Sequence, residues 1–316
     1  MDLTFETIPE ICRQHVGAAP APDGVRRIPT GKFNDTFDVA LSDGHVMVRV
    51  APPETETLCF YERRMMRQEP DIHAMLLERT SVPVPRVLAA DFSHTIIDRD
   101  FLIMERLPGR PLTEARDISA GTFGRILRKT GEYLREAHDI TADRHGYLGA
   151  HRPMEPCETW PQAFEEMWNR LIDDVVAVEG YAPAEARFMR DLRAAHEGHF
   201  RHEVVSRFLH MDIWHQNILI DDRGEVTGIL DWDRALWGDP EIEFAVLDYC
   251  GISEPPFWEG YARQRPSDGS AAIRQALYLL YEMQKYIVIR KGRNNRPAEA
   301  MAHKQRCLAL ARRLAG

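Results

Sequence analysis

The chain has 316 residues, 44 % of them hydrophobic and 28 % charged, which is the make-up of an ordinary soluble protein long enough for two modest lobes or one large core. Its formal charge of −9 speaks against nucleic acid as a partner, because a phosphate backbone calls for clustered Lys and Arg. The five cysteines are scattered without a C-x-x-C pair, so they read as reduced thiols of a cytoplasmic protein rather than disulfides or a zinc site.

In chain order, "LTFETIPEICRQHVG" predicts a short helix closed by Gly17, and "AAPAPDG" a linker. Nothing at the N-terminus has the basic start and apolar core of a signal peptide, and no run approaches 18 apolar residues, so no membrane association is expected. Strands are predicted over about 25–30, 36–41 and 45–50. The last two are joined by "SDG", a hairpin signal, and the first two by "TGKFND", whose Gly31 and Asn34 tolerate unusual backbone angles. A helix is predicted over about 58–79 and stopped by "SVPVP"; "RVLAAD" and "FLIMER" then read as strands, and "LPGRP" as a break. Beyond Pro111 long amphipathic segments take over, at about 119–138, 158–178, 184–201, 270–290 and 297–315. One β-rich island, 204–232, interrupts them.

That island carries the chemistry. "FLHMDIWHQNILI" holds the spacing H-x-D-x-x-x-x-N from His210 to Asn217, which chance would give roughly 0.015 times in a chain of this composition. Fourteen residues after Asn217 the strand "VTGILD" ends in Asp231. Phosphoryl transfer needs a carboxylate at the attacking hydroxyl and oxygen ligands that hold Mg²⁺ on the triphosphate. Two antiparallel strands would bring Asn217 and Asp231 to one rim, with Asp212 in the loop just ahead. The competing reading, Asp212 and Asn217 as turn-stabilising side chains, loses ground once Asp231 is counted.

The stretch "FLHMDIWHQNILIDDRGEVTGILDWDRALWGDPEIEFA" resembles the signature of the aminoglycoside phosphotransferase family, built on the protein-kinase-like fold. The likeness continues through "IPTGKFNDTFDV", "HVMVRV", "RQEPDIHAMLLERTSVPVPRVL" and "FLIMERLPGRPL", covering about 25–300. It implies an α+β bilobal fold: a small β-rich nucleotide-binding lobe, residues 1–107, and a larger, mainly helical catalytic and substrate-binding lobe, residues 108–316. It implies Asp212 as the catalytic base or hydroxyl-orienting carboxylate, Asn217 and Asp231 as Mg²⁺ ligands, and His210 as a brace for the loop. Arg49 stands at the phosphate-contacting position with Glu69 as its partner. Met104, Glu105, Arg106 and Leu107 form the hinge that meets the purine, and Gly31 and Asn34 lie in the loop that covers the phosphates.

The basic position holds Arg rather than Lys, which can still clasp phosphate oxygens in a fork. D-F-G and A-P-E are absent, with "LDWDR" and "WGDPE" in their places, which favours a small-molecule kinase over a protein kinase. The expected function is transfer of the γ-phosphate of ATP or GTP to a hydroxyl of an aminoglycoside-like or other antibiotic, a cationic small molecule, by a Mg²⁺-dependent monomer or homodimer. A metabolite kinase acting on a sugar or amino alcohol, or a nucleotide-binding pseudo-enzyme, are the alternatives. Asp239 before Pro240 reads as a helix cap, the Trp160/Trp168 stripe as core, and Glu282 and Tyr286 as packing on a late helix.

Overall fold

The computed structural model describes residue 3 and residues 5–29, 33–116 and 118–316. Gly31 of the phosphate-covering loop lies outside the described residues. The chain begins with α1 (Thr7–Val16), closed by Gly17 at φ 68°, and then lays down β1 (Val25–Ile28), β2 (Asp35–Leu41) and β3 (Gly44–Val50) as an antiparallel meander. After helix α2 (Glu69–Arg79), strands β4 (Val87–Asp91) and β5 (Phe101–Glu105) complete a five-stranded sheet in the order β1-β2-β3-β5-β4.

Alternation along β3 decides which side chains reach the cleft. Val46, Val48 and Val50 point one way, into an apolar layer with Phe37, Val39, Phe101 and Ile103 that α1 covers with Ile8, Ile11 and Cys12. Arg49 therefore points the other way, toward α2.

The helix predicted over 58–79 is instead three pieces: 3₁₀ turns at Phe60–Glu62 and Met65–Gln68, and then α2. Arg64 takes a left-handed φ of 57° between the two turns, which ends any continuous helix there. Pro70 sits in the first turn of α2, where its missing N–H costs nothing and its ring would break a helix running through.

The second lobe is mainly helical: α3 (Ala120–His138), α4 (Trp160–Ala177), α5 (Pro183–Ala195), α6 (Pro240–Tyr249), α7 (Pro255–Tyr261), α8 (Ala271–Val288) and α9 (Pro297–Ala315). The segment predicted as one helix over 184–201 ends at Ala195 and continues as a separate 3₁₀ turn, Glu197–Phe200. A π-helical stretch, Ile289–Arg293, follows α8. Trp160, Phe164, Met167, Trp168, Leu171, Ile172 and Val175 of α4 are core, packed with Tyr278 and Tyr281 of α8. Asp239 caps α6 by accepting from the Glu241 N–H at 3.0 Å. Helices α3 and α7 cross so closely that a Cβ on Gly131 would meet the Phe257 carbonyl oxygen at 2.2 Å, and one on Gly260 the Arg128 carbonyl oxygen at 1.8 Å. Among the described residues no helix is long and apolar enough to cross a membrane.

Two small sheets shape the rim between the lobes. One joins β6 (Arg110–Pro111), β9 (Ile218–Ile220) and β10 (Val226–Ile229); the other joins β7 (Thr141–Ala142), β8 (Ser206–Leu209) and β11 (Leu236–Gly238). The strands on either side of the His210–Asn217 loop, β8 and β9, thus belong to different sheets, and the loop is the chain's crossing from one to the other.

Candidate active site

Strands β9 and β10 pair antiparallel with Ile218 opposite Ile229, and the Leu230 N–H donates to the Asn217 carbonyl at 2.8 Å. Asn217 at the start of one strand and Asp231 just past the end of its partner consequently stand side by side on one edge. Asp231 holds a left-handed backbone, φ 62°, and so does Met211 ahead of Asp212, φ 68°. Both conformations are uncommon for residues other than glycine and persist only where the surroundings hold them.

Those surroundings are buried and charged. Glu243, on the inner side of α6 and fully buried, accepts the backbone N–H groups of His210 at 3.1 Å and Met211 at 2.7 Å, and touches His138 Nε2 at 2.7 Å. Burial pushes its carboxyl up, but the hydrogen bond from His138 and the loop N–H prevail and hold it below the ordinary glutamate value. His210, also buried, lies with Nε2 2.8 Å from the Leu230 carbonyl while its Nδ1 receives the Asp212 N–H at 3.1 Å, and burial lowers its pKa. Arg234 donates to the Met211 carbonyl at 2.6 Å. The loop interior is fastened as well: Thr113 Oγ1 donates to Gln216 Oε1, and the His215 ring lies 5.8 Å from that of Phe123.

Within this frame the Asn217 amide nitrogen donates to both the Asp212 carbonyl (2.9 Å) and its Oδ2 (3.1 Å). The Asp212 side chain is 35 % exposed and that of Asp231 42 %, so both carboxylates are open to a ligand.

Arg49 closes the site from the other lobe. It pairs with Glu69 at 2.5 Å, with Asp231 at 2.8 Å and with Asp233 at 3.2 Å, and Asn34 donates to the same Asp233 oxygen at 3.2 Å. Burial would discharge Arg49, but Glu69, Asp231 and Asp233 outweigh it and hold the guanidinium charged. Glu69 pays in the opposite direction: burial pushes its carboxyl up to about 8 against the pull of Arg49. Asp233 is likewise pushed up to about 7 by burial, with Asp231 and Asp212 adding to it.

The candidate residues fall into three groups. Asp212, Asn217, Asp231, Arg49, Glu69 and Asn34 converge on one cleft. Met104 to Leu107 form the end of β5 and the connection beyond it, where Met104 is buried, Glu105 is exposed, and Arg106 reaches Asp38 at 3.3 Å. Gly31 is not placed.

Three residues of the site were not legible as such. Asp233, two residues past Asp231 in "LDWDR", is buried and held by Arg49. Glu243 had one signal: a carboxylate flanked by Ile242 and Phe244 in a mostly apolar helix. Lys285 had none.

An oxygen-only donor pair, the Asn217 side-chain Oδ1 and the Asp231 carboxylate, suits a hard cation such as Mg²⁺, which keeps most of its shell for water and phosphate. Because the Asn217 amide nitrogen is committed to Asp212, its oxygen is the atom left to face the cleft. A second group that could hold a metal, His202, Asp239 and Glu241, is accounted for by the fold: Glu241 pairs with Arg274, and Asp239 caps α6 and accepts from the Tyr278 hydroxyl.

A sheet lobe and a helical lobe facing each other across such a rim define a kinase of the protein-kinase-like fold. The sequence profile of the "Phosphotransferase enzyme family" matches residues 24–275, and the chain belongs to that family; it is a small-molecule kinase that phosphorylates a hydroxyl. It is 27 % identical over 263 residues, 81 % of this chain and 83 % of the other, to a Vibrio cholerae protein named "Probable ketoamine kinase". In fold it is similar to a "Putative fructosamine-3-kinase" of Haemophilus somnus, with a TM-score of 0.68, 18 % identity, and 96 % and 97 % of the two chains covered. It is also similar in fold to a thermostable mutant of aminoglycoside phosphotransferase APH(4)-Ia in a ternary complex with AMP-PNP and hygromycin B, with a TM-score of 0.65, 17 % identity, and 98 % and 99 % coverage.

Proposed function

We propose that the chain transfers the γ-phosphoryl group of ATP or GTP to a hydroxyl of a ketoamine, a sugar joined through carbon to an amine. The observation that carries the reaction is the convergence of Asp212, Asn217 and Asp231 on one strand-edge rim with Arg49 reaching in from the facing lobe. The ketoamine class is supported by the relatives that bear that name, which match across most of this chain and of their own.

In this reading Asp212 accepts the hydrogen bond of the acceptor hydroxyl and aims its oxygen at the γ-phosphorus. As the new P–O bond forms, the bond to the β–γ bridging oxygen breaks, and the hydroxyl proton passes to Asp212 or to a phosphate oxygen. Arg49, fixed by Glu69, contacts the phosphates, and the Met104–Leu107 connection carries the backbone groups that meet the purine. Asn217 and Asp231 would hold Mg²⁺, which would neutralise charge on the phosphate oxygens. The role of an antibiotic kinase is the second reading, supported by the likeness in fold to the enzyme bound to hygromycin B.

The test is a product assay with Mg²⁺ and ATP or GTP on two panels, ketoamines of simple amines and amino acids, and aminoglycosides including hygromycin B, read by ³¹P NMR and mass. Phosphate-ester formation on ketoamines is expected. Esters on aminoglycosides alone would replace the first reading by the second, and nucleotide binding without transfer to any hydroxyl would sink both.

A further inference from the structure

The buried end of α8 holds a charge imbalance directed at Asp212. Glu282, 1 % exposed, is already neutralised by Arg234, whose guanidinium lies 2.8 Å from it. Yet a second cation, the ammonium of Lys285, stands 2.5 Å from the same carboxylate and is itself 5 % exposed. One carboxylate facing two cations leaves one positive charge over, and a buried ammonium without a counter-charge is costly. The remaining carboxylate within reach is Asp212, whose Oδ1 lies 3.8 Å from the Lys285 nitrogen.

The two oxygens of Asp212 are thereby divided: Oδ2 takes the Asn217 amide, and Oδ1 faces Lys285. The same cluster fixes the backbone, since Arg234 also donates to the carbonyl of Met211, the left-handed residue before Asp212. Helix α8 thus bears on the loop twice, through Glu282, whose partner Arg234 holds the main chain, and through Lys285 on the carboxylate. A Lys placed only to stabilise α8 would need no more than its i,i+3 acid, Glu282; the approach to Asp212 goes beyond that.

From this geometry we infer that Lys285 is a positioning residue for phosphoryl transfer: it holds the Asp212 carboxylate in the orientation that receives the acceptor hydroxyl. This rests on the kinase reading above and deepens it, adding to the reaction a residue from the late helices. Because Lys285 acts through Asp212, its loss slows the transfer step and leaves the nucleotide side, Arg49, Asn217 and Asp231, untouched.

The test is a double-mutant cycle on the full chain, with Lys285→Met, Asp212→Asn and both together, measuring Mg²⁺-dependent nucleotide turnover with the best acceptor and with water alone. Lys285→Met is expected to lower kcat about 10- to 100-fold with nucleotide KM unchanged, the scale of a lost coupling between residues in contact. The double variant is expected to be no slower than Asp212→Asn. Lys285→Gln, which removes the charge, shortens the side chain by one bond and keeps a polar donor, repeats the measurement should the Met variant fail to fold. Exogenous methylammonium is expected to restore part of the turnover of Lys285→Ala, which a packing role would not allow. Wild-type kcat in Lys285→Met or Lys285→Gln, or strictly additive losses in the cycle, would overturn the inference while leaving the kinase reading intact. A wild-type chain that turns over nucleotide with neither an acceptor nor water would overturn the kinase reading, and this one with it.

Discussion

The two walls of the cleft are built by different means. The wall proposed for the nucleotide is made of strand ends: Arg49 near the end of β3, Asn217 just ahead of β9, and Asp231 just past β10. A period of two and a fixed register place each side chain there, so positions in sequence translate directly into positions in space. The wall proposed for the acceptor is made of helix faces, α6 and α8, whose inward charged residues are buried with partners: Glu243 with His138, and Glu282 with both Arg234 and Lys285. On a strand edge a single residue type at the right spacing already defines its task. On a buried helix face the task depends on a partner tens of residues away, and the sequence around it reads simply as helix.

Mutations on each wall should therefore have different consequences. The largest effect is expected at the point where the walls meet. Asp212→Ala should lower turnover by about 10²–10⁴-fold, the usual worth of a proton-accepting group, with nucleotide affinity retained in a binding titration; near-normal turnover would remove Asp212 from the chemistry.

Next comes the acceptor wall's own support. Glu243→Ala leaves His138 and two loop N–H groups without their buried partner and should cost about 3–5 kcal/mol by denaturant titration. Its pH dependence has a definite sign. The folded-state pKa of Glu243 is depressed, so its contribution is present above the ordinary glutamate value of 4.5 and is lost as pH falls through the lower folded value. In Glu243→Gln that acid-side loss should flatten, and an unchanged acid profile would show that the carboxylate does not hold the loop.

Packing away from both walls supplies a reference. Gly131→Ala drives a methyl group into the Phe257 carbonyl where α3 and α7 cross, and should destabilise by about 1–3 kcal/mol. Thermal unfolding is expected to shift with kcat preserved at low temperature; a stable variant would mean the helices can part without cost.

The smallest effect is expected at a contact that spans the cleft mouth. Arg293, in the π-helical stretch, stands 4.9 Å from the ring centroid of Phe33, donates to the Thr57 carbonyl at 3.2 Å and pairs with Glu62. Arg293→Met should raise nucleotide KM by a few-fold, in line with about 0.5–2 kcal/mol for such a cation–π contact, with acceptor KM less affected. The reverse pattern would assign Arg293 to the acceptor wall.

How much was legible follows the same division. The bilobal α+β architecture could be read from strands giving way to long amphipathic helices after Pro111. The rim could be read from three residues, Asp212, Asn217 and Asp231, because their separation in sequence reflects one loop and one hairpin. The break in the expected 58–79 helix was harder to see: Arg64 gives no warning of its left-handed backbone, and Pro70 is equally at home at a helix start. Nothing local to Asp233 marks it as a site residue; only the fold brings Arg49 and Asn34 onto it from almost two hundred residues upstream. Lys285 sits in "YEMQKYIV" as one more helical residue, and no local pattern tells that its ammonium meets a loop seventy residues earlier.

In the proposed reaction the rim divides its labour, with Asp212 serving the acceptor and Asn217 with Asp231 serving the Mg²⁺-bound nucleotide. Calorimetric titration of ATP or GTP into wild type, Asp212→Asn and Asp231→Asn, each with and without Mg²⁺, tests it most directly. Asp212→Asn is expected to keep the wild-type gain in affinity that Mg²⁺ confers while losing transfer, and Asp231→Asn to lose that gain. Equal Mg²⁺ dependence in all three, or its loss in Asp212→Asn alone, would contradict the division.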